Sequence, residues 1–122
     1  MTRNNSIAPG VKIGKNVKIG EFNIIEANTT IGDNVEIGNF CIIRSNVKIK
    51  NDVVLRNHIE IRGNTLIGEN TQLDSYVAIS GEVKVGKNVT LRYGTILARG
   101  AVVGDNEFDS STLSINVDFL SE

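Results

Sequence analysis

The chain of 122 residues is short of the residue types on which many chemistries depend. It has one cysteine, Cys41, and one histidine, His58. A lone cysteine builds neither a disulfide framework nor a Cys-rich zinc site. One histidine supplies a three-histidine zinc site only where three copies share it on a symmetry axis. With 13 basic and 14 acidic residues the formal net charge is −1, so charge gives no reason to expect nucleic acid or an anionic membrane as partner. No apolar run approaches the ~20 residues of a membrane span. The opening Met1-Thr2-Arg3-Asn4-Asn5-Ser6 does not resemble a signal peptide, and a cytoplasmic location is the corresponding expectation. There is no P-loop, no Ser/His/Asp set with evident spacing and no cysteine pair.

What the chain does have is a period. Every sixth residue from Ile7 to Val103 is aliphatic, without a slip. Four places on from each stands a residue that is nearly always small or β-branched, such as Val35, Cys41, Val47 and Thr71. A period of six fits neither a helix at 3.6 nor a free strand at two, and marks a parallel β-helix of hexapeptides. In the unit Ile31-Gly32-Asp33-Asn34-Val35-Glu36, Val35 and the following Ile37 point inward from a short strand while Glu36 points out. Residues 32 to 34 then turn a corner. Asn or Gly fills the fourth hexad position in eleven of seventeen hexads, as a left-handed corner residue requires. Three strands close a triangular coil of eighteen residues, and coils stack at roughly 4.8 Å. Nearly six coils make an all-β prism about 27 Å tall.

The run Ile13-Gly14-Lys15-Asn16-Val17-Lys18-Ile19-Gly20 resembles the hexapeptide-repeat acyltransferases, a superfamily that includes lipid A acyltransferases and sugar N- or O-acetyltransferases. The resemblance covers residues 7 to 106. It implies a left-handed parallel β-helix, whereas the general preference for right-handed crossovers argues the other way. It also implies a homotrimer with parallel prism axes. The superfamily contains γ-class carbonic anhydrases as well, but these require three histidines around zinc, and no metal site is expected here. Fold alone does not choose among these activities.

Residues 1–106 form the expected hexapeptide-repeat domain, uninterrupted by any linker or inserted loop. The register fails at Glu107, which would occupy an inward slot, so the prism is expected to end near Asn106. Beyond it Leu113, Ile115, Val117 and Phe119 alternate with Ser114, Asn116 and Asp118 in a period-two pattern. Residues 107–122 are therefore read as a cap over the open end, or an arm exchanged with a neighbouring subunit. Cys41 falls in an inward small-residue slot and is read as packing.

Sorting by eighteen separates the walls. The fourth positions of one corner read Phe22, Phe40, His58, Tyr76, Gly94, an aromatic ladder. The outward positions just after it read Ile24, Ile42, Glu60, Ala78, Ile96. Apolar residues outward in register mark an association surface, and the Ile24/Ile42/Ala78/Ile96 edge is the expected trimer contact. The regular outward threonine ladder of an ice-binding helix is missing, since only Thr30 and Thr90 stand at such positions.

The apolar stripe breaks at His58 and Glu60, two residues apart on an extended segment and roughly 6.5 Å along the chain. An ordinary imidazole titrates near neutrality, as a general base must, and a neighbouring carboxylate would fix its tautomer. In hexapeptide acyltransferases a histidine in the cleft between subunits deprotonates the acceptor. Those of lipid A synthesis carry it in an Ile-Ala-His hexad, one place earlier than in Leu55-Arg56-Asn57-His58-Ile59-Glu60. The other reading makes His58 one more rung of the ladder. Arg44, Arg56 and Arg62 take the second hexad position, where glycine sits in seven others. The arginine fork suits phosphate and pyrophosphate, so these three, with Asn57 and Tyr76, are the candidate substrate-binding residues beside the catalytic candidates His58 and Glu60. The implied reaction is acyl or acetyl transfer from acetyl-CoA or an acyl carrier protein, as co-substrate rather than bound cofactor, to a sugar-like, nucleotide-linked hydroxyl or amine. The alternative is a catalytically silent β-helix serving as a structural or assembly subunit, favoured because the chain lacks the inserted corner loop with which enzymes of the resembled superfamily often build their acceptor pockets.

Overall fold

In the computed structural model of the chain, residues 4–109 are described. They form eighteen two-residue strands in three parallel sheets of six. Wall A comprises Ser6–Ile7, Ile24–Ile25, Ile42–Ile43, Glu60–Ile61, Ala78–Ile79 and Ile96–Leu97. Wall B comprises Lys12–Ile13, Thr30–Ile31, Lys48–Ile49, Leu66–Ile67, Lys84–Val85 and Val102–Val103. Wall C comprises Lys18–Ile19, Glu36–Ile37, Val54–Leu55, Gln72–Leu73, Thr90–Leu91 and Phe108–Asp109. Each strand pairs with the one eighteen residues on, as Ile43 with Ile61 and Ile61 with Ile79, so the sequence repeat and the ladder register coincide.

The side chains follow the period. Val35 and Ile37 are buried while Glu36 between them is exposed, as two-residue alternation on a strand demands. The aliphatic series from Ile25 to Val103 forms one continuous core along the axis. Each fully buried Ile or Leu in it contributes about 1.5–3 kcal/mol. Cys41 lies in this core, fully buried, its Sγ donating to the carbonyl of Arg56 at 3.2 Å. Burial pushes its thiol up, against two nearby backbone hydrogen bonds that pull it down.

Every fourth hexad position from Asn4 to Asn106 has a φ between 57° and 85°. All the corners are therefore left-handed, which explains the asparagines and glycines there. The second position is often glycine for a different reason. A Cβ on Gly38 would lie 2.5 Å from the carbonyl oxygen of Arg56 in the next coil.

The final strand, Phe108–Asp109, pairs with Thr90–Leu91 and carries wall C one strand past Asn106, where the hexad register of inward residues lapses. The rest of the expected cap, including Leu113, Ile115, Val117 and Phe119, lies outside the described residues. No helix among the described residues is long and apolar enough to cross a membrane.

Candidate functional site

Wall A is flanked by two unlike corners. On the side where the chain enters from wall C, the fourth-position rings stack. Phe22 and Phe40 lie 5.3 Å apart between centroids, Phe40 and His58 4.9 Å, and His58 and Tyr76 4.8 Å. All are within 11° of parallel. The coil rise sets this spacing, and the shared left-handed backbone aims each ring the same way. The conformation is unfavourable for bulky residues by roughly 1–2 kcal/mol each, and offset stacking returns about 0.5–1.5 kcal/mol per pair. Stability alone therefore gives little reason to prefer rings over asparagine here. Phe22, Phe40 and Tyr76 remain about half exposed.

His58 is thus a rung of the ladder in geometry. Stacking covers both faces of its imidazole, so the ring presents only its edge to solvent, and the ring nitrogens lie in that plane. Its backbone N–H donates to Asn39 O at 2.9 Å, tying the corner to the coil below. Glu60 does not turn towards it. On the far side of wall A the Glu60 Oε2 accepts from Arg44 Nε at 3.3 Å and lies 3.5 Å from Arg62 Nε. No hydrogen bond joins His58 and Glu60 among the described residues. Spacing along the strand brought the two within reach, but a stacked ring and a carboxylate facing two guanidinium groups point apart.

Arg44 also donates from Nη1 to Glu26 Oε2 at 3.0 Å, so it bridges carboxylates of the coils below and above. The bond to Glu26, with a smaller share from Glu60, raises the guanidinium further above its ordinary value. Arg44 and Arg62 line a groove of about 600 Å³ with Asn64, Ser80, Glu82 and Arg99, and Arg99 pairs with Glu82 at 2.9 Å. Arg56 is elsewhere. It stands on the ladder's corner, exposed, without an ion pair among the described residues, at the rim of two smaller grooves against wall C. Asn57 is committed to the scaffold: its Oδ1 accepts from Asn39 N at 2.9 Å, as Asn39 Oδ1 accepts from Glu21 N. The proposed residues therefore divide into His58, Tyr76, Arg56 and Asn57 on one corner and Glu60, Arg44 and Arg62 across wall A.

Four participants escaped the sequence reading: Tyr93, Glu26, Glu82 and Arg99. Sorted by eighteen, the second hexad position aligns Glu26 with Arg44 and Arg62. The same sorting exposes a segregation. Every described arginine (Arg44, Arg62, Arg99, Arg56, Arg92) stands on a corner flanking wall A. Every lysine (Lys12, Lys15, Lys18, Lys48, Lys50, Lys84, Lys87) stands on wall B, wall C or the corner between them. Interfaces are enriched in arginine and aromatics and depleted of lysine.

A family model described as the GMPPB C-terminal domain matches residues 1–116. The chain belongs to the GMPPB C-terminal domain family. No curated protein sequence matches it. Among solved structures, a histidine-to-alanine variant of GDP-perosamine N-acetyltransferase from Caulobacter crescentus, in complex with CoA and GDP-perosamine, superposes with a TM-score of 0.85 at 24% identity. The alignment covers 93% of this chain and 53% of that one. A further structure of that enzyme, PerB, with the same ligands gives 25% identity, a TM-score of 0.56, and coverage of 93% and 54%. UDP-N-acetylglucosamine acyltransferase from Campylobacter jejuni gives 19% identity and a TM-score of 0.65, over 88% of this chain and 57% of that one. These neighbours share the hexapeptide-repeat architecture, and this member of the GMPPB C-terminal domain family is, like them, a left-handed parallel β-helix. It spans about half the length of the solved structures it matches.

Proposed function

We propose that this β-helix transfers an acyl or acetyl group from a thioester, acetyl-CoA or acyl carrier protein, to a hydroxyl or amine of a nucleotide-linked sugar in the cytoplasm. The observation that carries the reading is the His58 edge, held at mid-stack in a rigid ring ladder beside wall A, in a fold shared with acetyltransferases solved with CoA and GDP-perosamine. In this reading an in-plane nitrogen of His58 takes the proton of the acceptor. The acceptor oxygen or nitrogen attacks the thioester carbonyl, the C–S bond breaks, and the leaving thiolate is protonated.

His58 and the arginine groove lie on opposite sides of wall A within one chain. Three copies around an axis, meeting at the Ile24/Ile42/Ala78/Ile96 edge, would bring the ladder of one copy to the arginine corner of the next. Arg44, Arg62 and Arg99 are there to face phosphates, and Glu60 tethers two of them rather than orienting the imidazole.

The second reading is a silent structural module. The family description names a C-terminal domain, and Glu60 leaves His58 without a carboxylate partner among the described residues. A thermal-shift screen against acetyl-CoA and nucleotide sugars, followed by a transfer assay on each ligand that binds, separates the two. A ligand at 100 times its Kd stabilises by about 2.7 kcal/mol. Absence of any shift with any donor or nucleotide sugar leaves the structural reading standing.

A further inference from the structure

The ladder changes character at one rung. Four successive corners place a ring at the fourth position, and the fifth places Gly94, with a φ of 76°. Gly94 offers no ring above Tyr76. The next aromatic comes instead from the third position: Tyr93 leans over Tyr76 at 5.4 Å and 52°, whereas every lower pair is parallel within 11°. Tyr93 is 58% exposed, the most open of the ladder's described large apolar side chains. Below this rung each ring has both faces occupied by its neighbours or lies at the bottom end of the stack. At Tyr76 the upper face is covered only obliquely, by this open Tyr93 ring. Arg92, adjacent to Tyr93, has its guanidinium 5.5 Å from the Phe108 ring centre, and Arg56 occupies the same hexad position two coils lower.

From this we infer that the Gly94 rung is a stacking slot for a nucleobase, seated on Tyr76 once the open Tyr93 ring swings off that face to close over the base, with Arg92 beside it for a phosphate. A planar base continues a ladder whose own ring is missing at that level, and base–aromatic stacking tolerates any base. A sugar ring or an alkyl chain gains less there, because neither has a flat π-face to lay parallel on Tyr76. The slot deepens the proposed reaction by placing the nucleotide part of its donor or acceptor. It does not depend on transfer taking place.

Tyr76 and Tyr93 are the only tyrosines and the chain has no tryptophan, so tyrosine ring labelling puts both NMR reporters at the slot. Titration with AMP or GMP should move both signals saturably, and ribose 5-phosphate should not. Gly94→Phe fills the slot using the same left-handed backbone that Phe22 and Phe40 already adopt. It should weaken AMP and GMP binding by ~10-fold or more without lowering Tm, and Tyr93→Leu should weaken it by a similar factor. Unchanged nucleotide affinity in Gly94→Phe, or equal binding of ribose 5-phosphate, overturns the inference. Stacking without any acyl transfer would retire the transferase reading and leave the slot. Transfer with undiminished nucleotide affinity in Gly94→Phe would do the reverse.

Discussion

Replacing His58 in two ways separates its two roles. His58→Ala deletes a ring that stacks on Phe40 at 4.9 Å and on Tyr76 at 4.8 Å. At about 0.5–1.5 kcal/mol per pair, the loss is about 1–3 kcal/mol. No backbone relief offsets it, because alanine at φ 57° is no better placed than histidine. For a chain of 122 residues the unfolding entropy is about 0.26 kcal/mol per kelvin, so Tm should fall by roughly 4–12 °C. His58→Phe keeps both stacks and should hold Tm within about 2 °C of wild type or raise it. Both variants remove the ring nitrogens, and transfer to an identified acceptor should drop by about 10²- to 10⁴-fold in each. Calorimetry and a coupled thiol-release assay on the same preparations give the two readouts. Full turnover by His58→Phe would end the general-base assignment. An unchanged Tm in His58→Ala would show that the ladder carries no measurable energy at this rung.

If the apolar edge of wall A is the proposed trimer contact, Ile42→Glu should place an unpaired charge in it, and light scattering at micromolar concentration should show trimers for wild type and monomers for the variant; a wild type monomeric at millimolar concentration refutes the edge. Ile61→Ala, in the middle of the core and fully buried, should cost about 2–5 kcal/mol in urea unfolding, and a loss below about 1 kcal/mol would contradict continuous packing along the axis. Cys41 has its thiol raised by burial, so its folded form holds the proton more tightly than the unfolded chain does. The stability this contributes is complete below the unfolded value near 9.0 and is lost as pH rises through the folded one. Cys41→Val should therefore flatten the fall in stability above that pH, and native Cys41 should resist alkylation at pH 8. Arg44→Met should lower stability by no more than about 1 kcal/mol, less in 1 M salt, because Arg44, Glu26 and Glu60 are all partly exposed.

The architecture was legible because one period governs both the sequence and the hydrogen bonds. A residue's hexad position decides whether it lies on a strand or at a corner, and its place in the eighteen-residue coil decides which wall or corner that is and which residues stand above and below. That is why the ring ladder and the apolar stripe are legible in the sequence residue by residue. The chemistry was less legible because side-chain direction at a corner does not follow from spacing. His58 and Glu60 are two apart, yet the ring is drawn into its stack and the carboxylate towards Arg44 and Arg62. Asn57 illustrates the same limit: at a corner, an amide that could meet a substrate is taken by the backbone of the coil below. Arg44, Arg56 and Arg62 share a hexad position, but only Arg44 and Arg62, eighteen apart, share a corner, since neighbouring hexads rotate by one wall.

The parting of arginine from lysine has a practical side. All seven lysine amines lie on walls B and C or the corner joining them, so amine-directed chemistry cannot attach to wall A through a lysine. A dye, a biotin or a solid support coupled at lysine would leave the ring ladder, the Ile24/Ile42 stripe and the Glu60 arginine cluster turned outward. Immobilised in that way, the molecule would present one defined face to whatever flows past it.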